Sequence, residues 1–216
     1  MKTAAFFDVD YTLVDGSSSI EFMKYLFWKG KLPLRIILDA VQFYVKYKFN
    51  RISYSELAKR TKLPYIKNKK SKYVKDISQE FFEKILNKKI NKKALNKIKT
   101  HMKKRHKIVL ATASIDFLIR PLADHLGADF ISTGTEIKDN YYTGKLTESV
   151  CYGKTKAKLV NRYANENKID LTKSYAYSDH ISDLEFLKLV GHPYFVNPNR
   201  KIKRIAKKEK IKIIYF

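Results

Sequence analysis

Short apolar runs alternate with stretches of helical spacing along this chain. The run from Ala4 to Val9 ends in acidic residues, which predicts a buried strand that enters a loop. Lys107 to Ala111 predicts a second strand, followed by a helix from about Asp116 to Leu126. The same alternation predicts strands at Phe130–Thr133, Ser174–Tyr177 and Tyr194–Val196, and helices at Lys156–Asn167 and Ile181–Leu189. This order is typical of an α/β fold with a parallel sheet covered on both faces.

Between the first two predicted strands, the spacing is helical only. Helices are predicted at Ile20–Trp28, at Pro33–Lys48, from Ser53 onward, near Tyr73–Leu86, and where Leu95, Ile98 and Met102 share one face. We therefore predict a three-layer Rossmann-like core of residues 1–15 and 105–216, with a small all-helical cap domain of residues 16–104. In the core, Glu136–Lys138 and Tyr142–Leu146 flank Asp139 and Asn140, which predicts a hairpin.

Composition supports a folded protein of the cytoplasm. Hydrophobic residues make up 44% of the 216 residues, enough apolar surface to exclude disorder. The single cysteine, Cys151, cannot form an internal disulfide, and no Cys/His cluster has zinc-ligand spacing. The first apolar run is too short and too interrupted by charges for a signal peptide. No run reaches the ~18 apolar residues that a transmembrane helix needs.

The formal net charge of +24 predicts attraction to anions without choosing among phosphoesters, nucleic acid and anionic membranes. Most of the excess is lysine scattered between Lys67 and Lys210. Side chains that merely face solvent explain this distribution as well as a binding patch does. Because no aromatic-interleaved basic motif accompanies the lysines, no nucleic-acid partner is expected.

Candidate chemistry lies at four strand ends, where open α/β sheets place their ligand sites. In Asp8-Val9-Asp10, a side-chain period of two points both carboxylates to one side, which favours a cation between them or simple solvation. Thr112 follows the second strand at a predicted helix start, as a phosphate ligand or an ordinary N-cap. Lys156 could neutralise a phosphoryl oxygen or merely face solvent.

The fourth strand end carries Asp179 and Asp183. Two carboxylates four residues apart across a helix start can both turn toward a hard cation. The alternative is that Asp179 caps the helix and that Asp183 is a first-turn acid favoured by the helix dipole.

Together, the string Asp8-Val9-Asp10-Tyr11-Thr12, then Thr112, Lys156 and the pair Asp179 and Asp183, resembles the four-motif signature of the haloacid dehalogenase (HAD) superfamily over essentially the whole chain. The 23-residue step from Lys156 to Asp179 is similar to the phosphoserine phosphatase branch. The strings LATAS, CYGKTK, VGHP and VNPNRK resemble a group of phosphatases within that branch. Such proteins carry a helical cap after the first strand, in agreement with the helical run from Ser19 to about Lys104.

The resemblance implies a magnesium-dependent phosphatase that forms an aspartyl-phosphate on Asp8. Asp8 would attack phosphorus, while Asp10 would protonate the leaving oxygen and afterwards activate water. Thr112, Ala113 and Lys156 would bind the substrate phosphate, where charge must be stabilised in a loose transition state.

The resemblance also implies a Mg²⁺ site. Asp8, Asp179 and the main-chain carbonyl of Asp10 would hold the ion, with waters completing its octahedron. Asp183 and Thr12 would lie behind these ligands, where Asp183 would orient a bound water or Lys156.

The substrate is expected to be a small metabolite or a lipid headgroup phosphate. Ser17 stands where phosphoserine phosphatases resemble one another in having a glutamate that grips the substrate amine, which weakens phosphoserine as the substrate; Glu21 lies one turn further on. The apolar and aromatic segment from Leu32 to Asn50 predicts a core helix of the cap or a helix lying on an anionic membrane surface. Two other functions stay open: a phosphotransferase to an alcohol, and a non-catalytic module that binds anions or nucleic acid.

Overall fold

A six-stranded parallel sheet forms the centre of the molecule, whose computed structural model describes residues 1–36, 38, 42, 63–147 and 150–216. Its strands are β1 (Ala4–Phe7), β2 (Lys107–Ile115), β3 (Asp129–Thr133), β6 (Tyr175–Ser178), β7 (His192–Val196) and β8 (Lys212–Ile214), in the order β3-β2-β1-β6-β7-β8. All neighbours in this sheet pair in parallel, which confirms the predicted α/β class. Strands β4 (Thr135–Lys138) and β5 (Tyr141–Leu146) form the predicted antiparallel hairpin.

Helices follow or precede the strands as the alternation predicts, with local differences. The described α-helices are α1 (Ser18–Trp28), α2 (Ser71–Phe81), α3 (Lys92–Lys103), α4 (Asp116–Leu126), α5 (Lys154–Glu166), α6 (Leu184–Leu187) and α7 (Arg200–Lys208). A π-helical segment, Phe82–Leu86, continues α2. The helix predicted at Ile181–Leu189 is a 3₁₀ turn, Ile181–Asp183, followed by the single turn of α6.

The three layers follow from the alternation of side chains along β1. All four residues of β1 are fully buried. Ala5 and Phe7 join a hydrophobic cluster with α1, α2, α3 and α4, whereas Ala4 and Phe6 join a second cluster with α5, α6 and α7. Because successive strand side chains point to opposite faces, β1 supplies apolar surface to both helical layers.

Helix α1 joins the helices of the predicted cap to the core. Phe22 is buried on α1, and its ring centroid lies 5.1 Å from that of Phe81 on α2 and 6.0 Å from that of Phe117 on α4. Residues of both predicted domains therefore pack in one continuous cluster. The division into residues 16–104 and the remainder stays a prediction.

Several predicted helices fall outside the described residues. These are most of Pro33–Lys48 and the segment from Ser53 to residue 62, so the greater part of the Leu32–Asn50 interpretation also lies outside them. Within the part of the chain that the structure describes, every helix is too short or too polar to cross a bilayer.

Candidate active site

The carboxyl ends of β1, β2 and β6 bring three of the four predicted chemical segments together. Asp8 directly follows β1, and its main-chain N–H donates to the carbonyl of Tyr177 on β6 at 2.9 Å. Because β1 and β6 are parallel neighbours, this contact places Asp8 beside Ser178 and Asp179. Phe7 pairs with Leu110, so Thr112 on β2 lies next to the residues that follow β1.

Lys156 supplies the fourth segment and connects two carboxylates. Its Nζ donates to Asp8 Oδ1 at 2.9 Å and to Asp183 Oδ2 at 2.7 Å. Lys156 and Asp183 are each 2% exposed, and Asp8 is 7% exposed. The Ser178 hydroxyl also donates to Asp183 Oδ2 at 2.7 Å. The interpretation of Lys156 as a solvent-facing lysine is therefore wrong.

Asp179 approaches the same point from β6 through Thr12. Thr12 Oγ1 accepts from the main-chain N–H of Asp179 at 3.1 Å and lies 3.3 Å from Asp179 Oδ1 and 3.4 Å from Asp8 Oδ2. The cap of the following 3₁₀ turn is His180, whose ring nitrogen accepts from the N–H of Ser182. Asp179 is therefore not the helix cap, and its carboxylate lies near that of Asp8.

Burial dominates the electrostatics of the cluster. It raises the pKa of Asp8 to about 8, with Asp183 and Asp179 adding to the rise and Lys156 opposing it. Burial also raises the pKa of Asp179. For Lys156, burial favours the neutral amine, but the Asp183 and Asp8 carboxylates outweigh it and raise the pKa above its ordinary value. Two carboxylates share the Lys156 ammonium group and a third, that of Asp179, lies near Asp8, so an additional cation would favour their ionised forms.

The donor set fits a hard divalent cation such as Mg²⁺. Asp8 and Asp179 each direct a carboxylate oxygen toward Thr12, and oxygen is the donor that Mg²⁺ prefers. Asp183 Oδ1 is buried and has no hydrogen-bond partner among the described residues, as suits an oxygen that would accept from a metal-bound water. No three His, Cys, Asp or Glu side chains of those residues form a metal cluster, so further ligands would be main-chain oxygens and waters.

The Asp10 carboxylate has partners different from those of Asp8. Its Oδ1 accepts from the main-chain N–H of Ser18 at 2.9 Å, and its Oδ2 accepts from the hydroxyls of Ser114 at 3.0 Å and Ser17 at 3.3 Å. These contacts tie the loop after β1 to the start of α1 and to β2. The side-chain period of two predicted that Asp8 and Asp10 point in one direction. It did not predict that three serines bind the Asp10 carboxylate.

Thr112 and Ala113 lie inside β2, not at the start of a helix. The strand continues to Ile115, and α4 begins at Asp116 with no side-chain cap. The interpretation of Thr112 as an N-cap at a helix start is therefore wrong. Thr112 is buried, and its Oγ1 accepts from the Ser114 N–H at 3.1 Å, which leaves the hydroxyl proton to donate.

A buried connection fixes the loop before α5. The main-chain N–H of Cys151 donates to Thr133 Oγ1 at 3.1 Å, and the Thr133 hydroxyl donates to the carbonyl of Ala113 at 2.8 Å. Burial raises the pKa of the Cys151 thiol to about 12, although Lys156 lies near enough to oppose the rise. The chain therefore enters α5 at a fixed position, and Lys156 follows two residues after the helix begins.

Glu21 lies outside this cluster. It accepts from Lys24 at 2.9 Å and lies 3.6 Å from Lys89. The Ser17 hydroxyl donates to Asp10 Oδ2 at 3.3 Å.

Comparison with known proteins supports the predicted family. The model of the haloacid dehalogenase-like hydrolases matches residues 5–188. A probable phosphatase of Mycobacterium tuberculosis, Rv3661, is 31% identical over 95% of this chain and 72% of its own length. The phosphoserine phosphatase SerB1 of the same species is 28% identical over 96% of this chain and 68% of its own length. A solved structure of unknown function from Bordetella pertussis superposes with a TM-score of 0.89 at 22% identity, over 99% of this chain and 98% of its own.

Proposed function

The chain belongs to the haloacid dehalogenase-like hydrolase family, in its phosphoserine-phosphatase-like branch, and from this premise we propose that it is a magnesium-dependent phosphatase with Asp8 as the nucleophile. The observation that carries the proposal is the cluster of the buried Asp8, Lys156 and Asp183 with the half-buried Asp179 at the carboxyl ends of β1 and β6. A structural ion pair would require one carboxylate for one lysine, whereas Lys156 contacts two, and each buried charge is costly to desolvate.

The proposed reaction has two half-reactions on Asp8. In the first, an Asp8 oxygen bonds to phosphorus, the bond to the ester oxygen breaks, and Asp10 gives that oxygen a proton. In the second, water bonds to phosphorus, Asp10 takes the water's proton, and the bond to Asp8 breaks to release phosphate. Hydroxyl donation from Thr112, the Ala113 main chain and the Lys156 ammonium would stabilise the phosphoryl oxygens.

The oxygen donors of Asp8 and Asp179, with the Asp10 carbonyl, would hold Mg²⁺. When bound, the ion supplies positive charge that neutralises the phosphate and keeps the carboxylates ionised. Lys156 would hold Asp8 in place through Oδ1, and the Asp183 carboxylate would hold Lys156.

Phosphate release from p-nitrophenyl phosphate with Mg²⁺, or with EDTA in its place, tests this proposal. Asp8→Asn replaces the nucleophilic carboxylate with a weakly nucleophilic amide, and we expect a loss of kcat of at least about 10³-fold, because covalent catalysis has no substitute at this position. Asp124→Asn is the matched control, since Asp124 is exposed on α4. Full activity of Asp8→Asn, or equal activity in EDTA, would contradict the mechanism.

The proposed substrate class is a phosphate monoester of a small metabolite or of a lipid headgroup. SerB1 is named for phosphoserine, but Ser17 and the lysine-paired Glu21 provide no carboxylate here for a substrate amine. A panel of phosphorylated metabolites, with released phosphate as the readout, would identify the substrate. Added alcohols would distinguish transfer from hydrolysis, since a phosphotransferase would form a new phosphate ester.

Exposed apolar residues at the end of α1 and in the segment that follows it favour a lipid headgroup within this class. Trp28, Leu34 and Leu38 are 83%, 58% and 59% exposed, and the exposed Lys31 and Arg35 lie beside them in the chain. Aromatic and aliphatic side chains among basic ones are typical of surfaces that bind anionic membranes.

Sedimentation with vesicles tests the membrane contact. We expect more protein to pellet with anionic than with neutral vesicles, and Trp28→Ser to reduce the pelleted fraction several-fold. Met102→Ser is the control, because Met102 is exposed on α3, outside this surface. Equal pelleting with both vesicle types would exclude the contact without affecting the hydrolysis proposal.

A further inference from the structure

We propose that Ser114 and Ser18 act as a hydroxyl relay that positions the Asp10 carboxyl group for proton transfer to the leaving group. This inference rests on the proposed function, because it assigns a positioning role within the same reaction. It concerns residues that the signature of the family does not include, since the four predicted segments name Thr112 but neither serine.

Three donors hold the Asp10 carboxylate from two separate elements. The N–H of Ser18, at the first residue of α1, fixes Oδ1, while the Ser114 hydroxyl on β2 fixes Oδ2. The Ser17 hydroxyl adds a longer contact of 3.3 Å to Oδ2. Because the two oxygens are held from different directions, rotation of the carboxylate about its bond to Cβ is restricted.

The direction of the hydroxyl chain follows from proton counting. Ser18 Oγ and Ser114 Oγ lie 2.8 Å apart, and both serines are buried. A serine hydroxyl has one proton, and an ionised carboxylate can only accept. When Ser114 donates to Asp10, Ser18 must therefore donate to Ser114. Once Asp10 has given up its proton, its carboxylate thus orders two hydroxyl protons in a row, and adjacent hydrogen bonds of this kind strengthen one another.

Ser114 also contacts the proposed phosphate-binding hydroxyl. Its main-chain N–H donates to Thr112 Oγ1 at 3.1 Å, while its side chain donates to Asp10. One residue therefore sets the spacing between Asp10 and Thr112. General acid catalysis requires such spacing, because the proton donor must lie within hydrogen-bond reach of the leaving oxygen while the phosphate is held.

The relay joins the first helix of the predicted cap to the core. Ser18 belongs to α1, and Ser114 belongs to β2, 96 positions further along the chain. The orientation of Asp10 therefore depends on where α1 starts relative to the sheet.

Leaving-group dependence distinguishes positioning of an acid from a general structural role. p-Nitrophenolate departs readily without a proton, whereas an alkoxide requires one. We expect Ser114→Ala to lower kcat/KM for an alkyl phosphate such as glycerol phosphate about 10-fold to 100-fold, and that for p-nitrophenyl phosphate less than about 3-fold. The parameter kcat/KM reports the steps up to departure of the leaving group, which separates this step from hydrolysis of the phosphorylated enzyme.

Two further variants complete the experiment. Ser18→Ala should cause a smaller loss with the same preference for the alkyl ester, and it tests the relay if Ser114→Ala fails to fold. Ser19→Ala is the matched control, because Ser19 is the next residue of α1 and should leave both substrates unaffected. Equal losses for both esters in Ser114→Ala or Ser18→Ala, or no loss in either, would overturn the relay. Neither result would affect the nucleophile, which the Asp8→Asn variant tests separately.

Discussion

Strand β6 separates two buried polar clusters that are stabilised in different ways. Toward its carboxyl end lies the charged cluster of Asp8, Lys156, Asp179 and Asp183. On its other side, Tyr177 is the anchor of a neutral cluster. Its hydroxyl lies 2.9 Å from His101 Nε2, and His101 Nδ1 lies 2.9 Å from His106 Nδ1.

Aromatic packing surrounds the neutral cluster. The ring of Tyr177 stacks on Phe7 at 4.6 Å and on Tyr194 at 5.0 Å, and His106 stacks on Tyr175 at 5.4 Å. Burial lowers the pKa of His101 to about 4, and the nearby His106, Lys97 and Lys104 add to the effect. The neutral form of His101 is therefore favoured in this cluster, whereas the cluster around Lys156 contains charged side chains.

This difference in electrostatic cost indicates which of the two clusters is the candidate functional site. Neutral hydrogen bonds and stacked rings stabilise a core at little electrostatic cost. Buried carboxylates in excess of cations carry a large electrostatic cost. Groups whose pKa is strongly shifted in this way concentrate at functional sites. A cavity of about 420 Å³ at the opposite end of the sheet, near Lys2, Arg105 and Asp129, contains no comparable buried charge cluster among its described lining residues.

The largest expected effect comes from removing the cation of the charged cluster. Lys156→Met leaves Asp8 and Asp183 buried without their shared ammonium, and we expect the free energy of unfolding to fall by about 3–5 kcal/mol. Chemical denaturation would measure the change, with the exposed Lys158→Met as control. A loss below about 1 kcal/mol would mean that Lys156 does not neutralise the cluster.

Magnesium should stabilise the charged cluster and leave the neutral one unaffected. At a Mg²⁺ concentration about 100 times Kd, binding to the folded state alone raises the free energy of unfolding by about 2.7 kcal/mol. We expect this gain in the unaltered protein and in His101→Gln, and its loss in Asp179→Asn, because Asp179 is a proposed ligand. Thermal unfolding with Mg²⁺ and with EDTA would measure it. An equal gain in Asp179→Asn would place the ion elsewhere.

Acid should weaken the neutral cluster through His101. Its pKa in the folded state, about 4, lies below the ordinary value of 6.5, so the unfolded state binds the proton first. The free energy of unfolding therefore decreases as the pH falls from above 6.5 toward 4, by about 1.6 kcal/mol between pH 6.5 and 5. We expect His101→Gln to lose this part of the pH dependence, measured by denaturation at several pH values. His125 is exposed, and the control variant His125→Gln should retain this pH dependence of stability.

The smallest effect is expected at an exposed ion pair at the amino ends of the strands. Lys107 Nζ lies 2.8 Å from Asp129 Oδ2, and both side chains are partly exposed. Lys107→Ala should lower the free energy of unfolding by about 0.2–1 kcal/mol, because solvent screens the attraction. Phosphatase activity should not change, and a loss of activity would connect this end of the sheet to catalysis.

Apolar patterning predicted the sheet well and its ends less well. The compact apolar runs of β1 and β2 identify strands because both are buried on both faces. Continuation of β2 through Thr112 was not predicted, because it depends on pairing between Ile115 and Thr133 on a separate strand. Helix α7 and strand β8 were not predicted, because lysine and arginine dominate α7 and only Ile202 and Ala206 are buried there.

The structure brings Asp8, Lys156, Asp179 and Asp183 together, whereas the partners of Asp10 could not be read from the sequence. The period of two applies to a strand, and β1 ends at Phe7. Beyond it the chain turns, with Tyr11 at φ 59°, so Asp8 and Asp10 do not share partners. Ser114 reaches Asp10 only through the fold, since the two residues lie 104 positions apart.

The central position of β1 also affects how the chain is made. This strand leaves the ribosome well before both of its neighbours, because β2 and β6 begin more than 100 residues later in the chain. At a synthesis rate of about 5–20 residues per second, β1 remains without a neighbouring strand for at least about 5 s. During that interval the nascent chain depends on chaperones or on early packing of α1, and destabilising α1 should therefore reduce the yield of folded protein during synthesis.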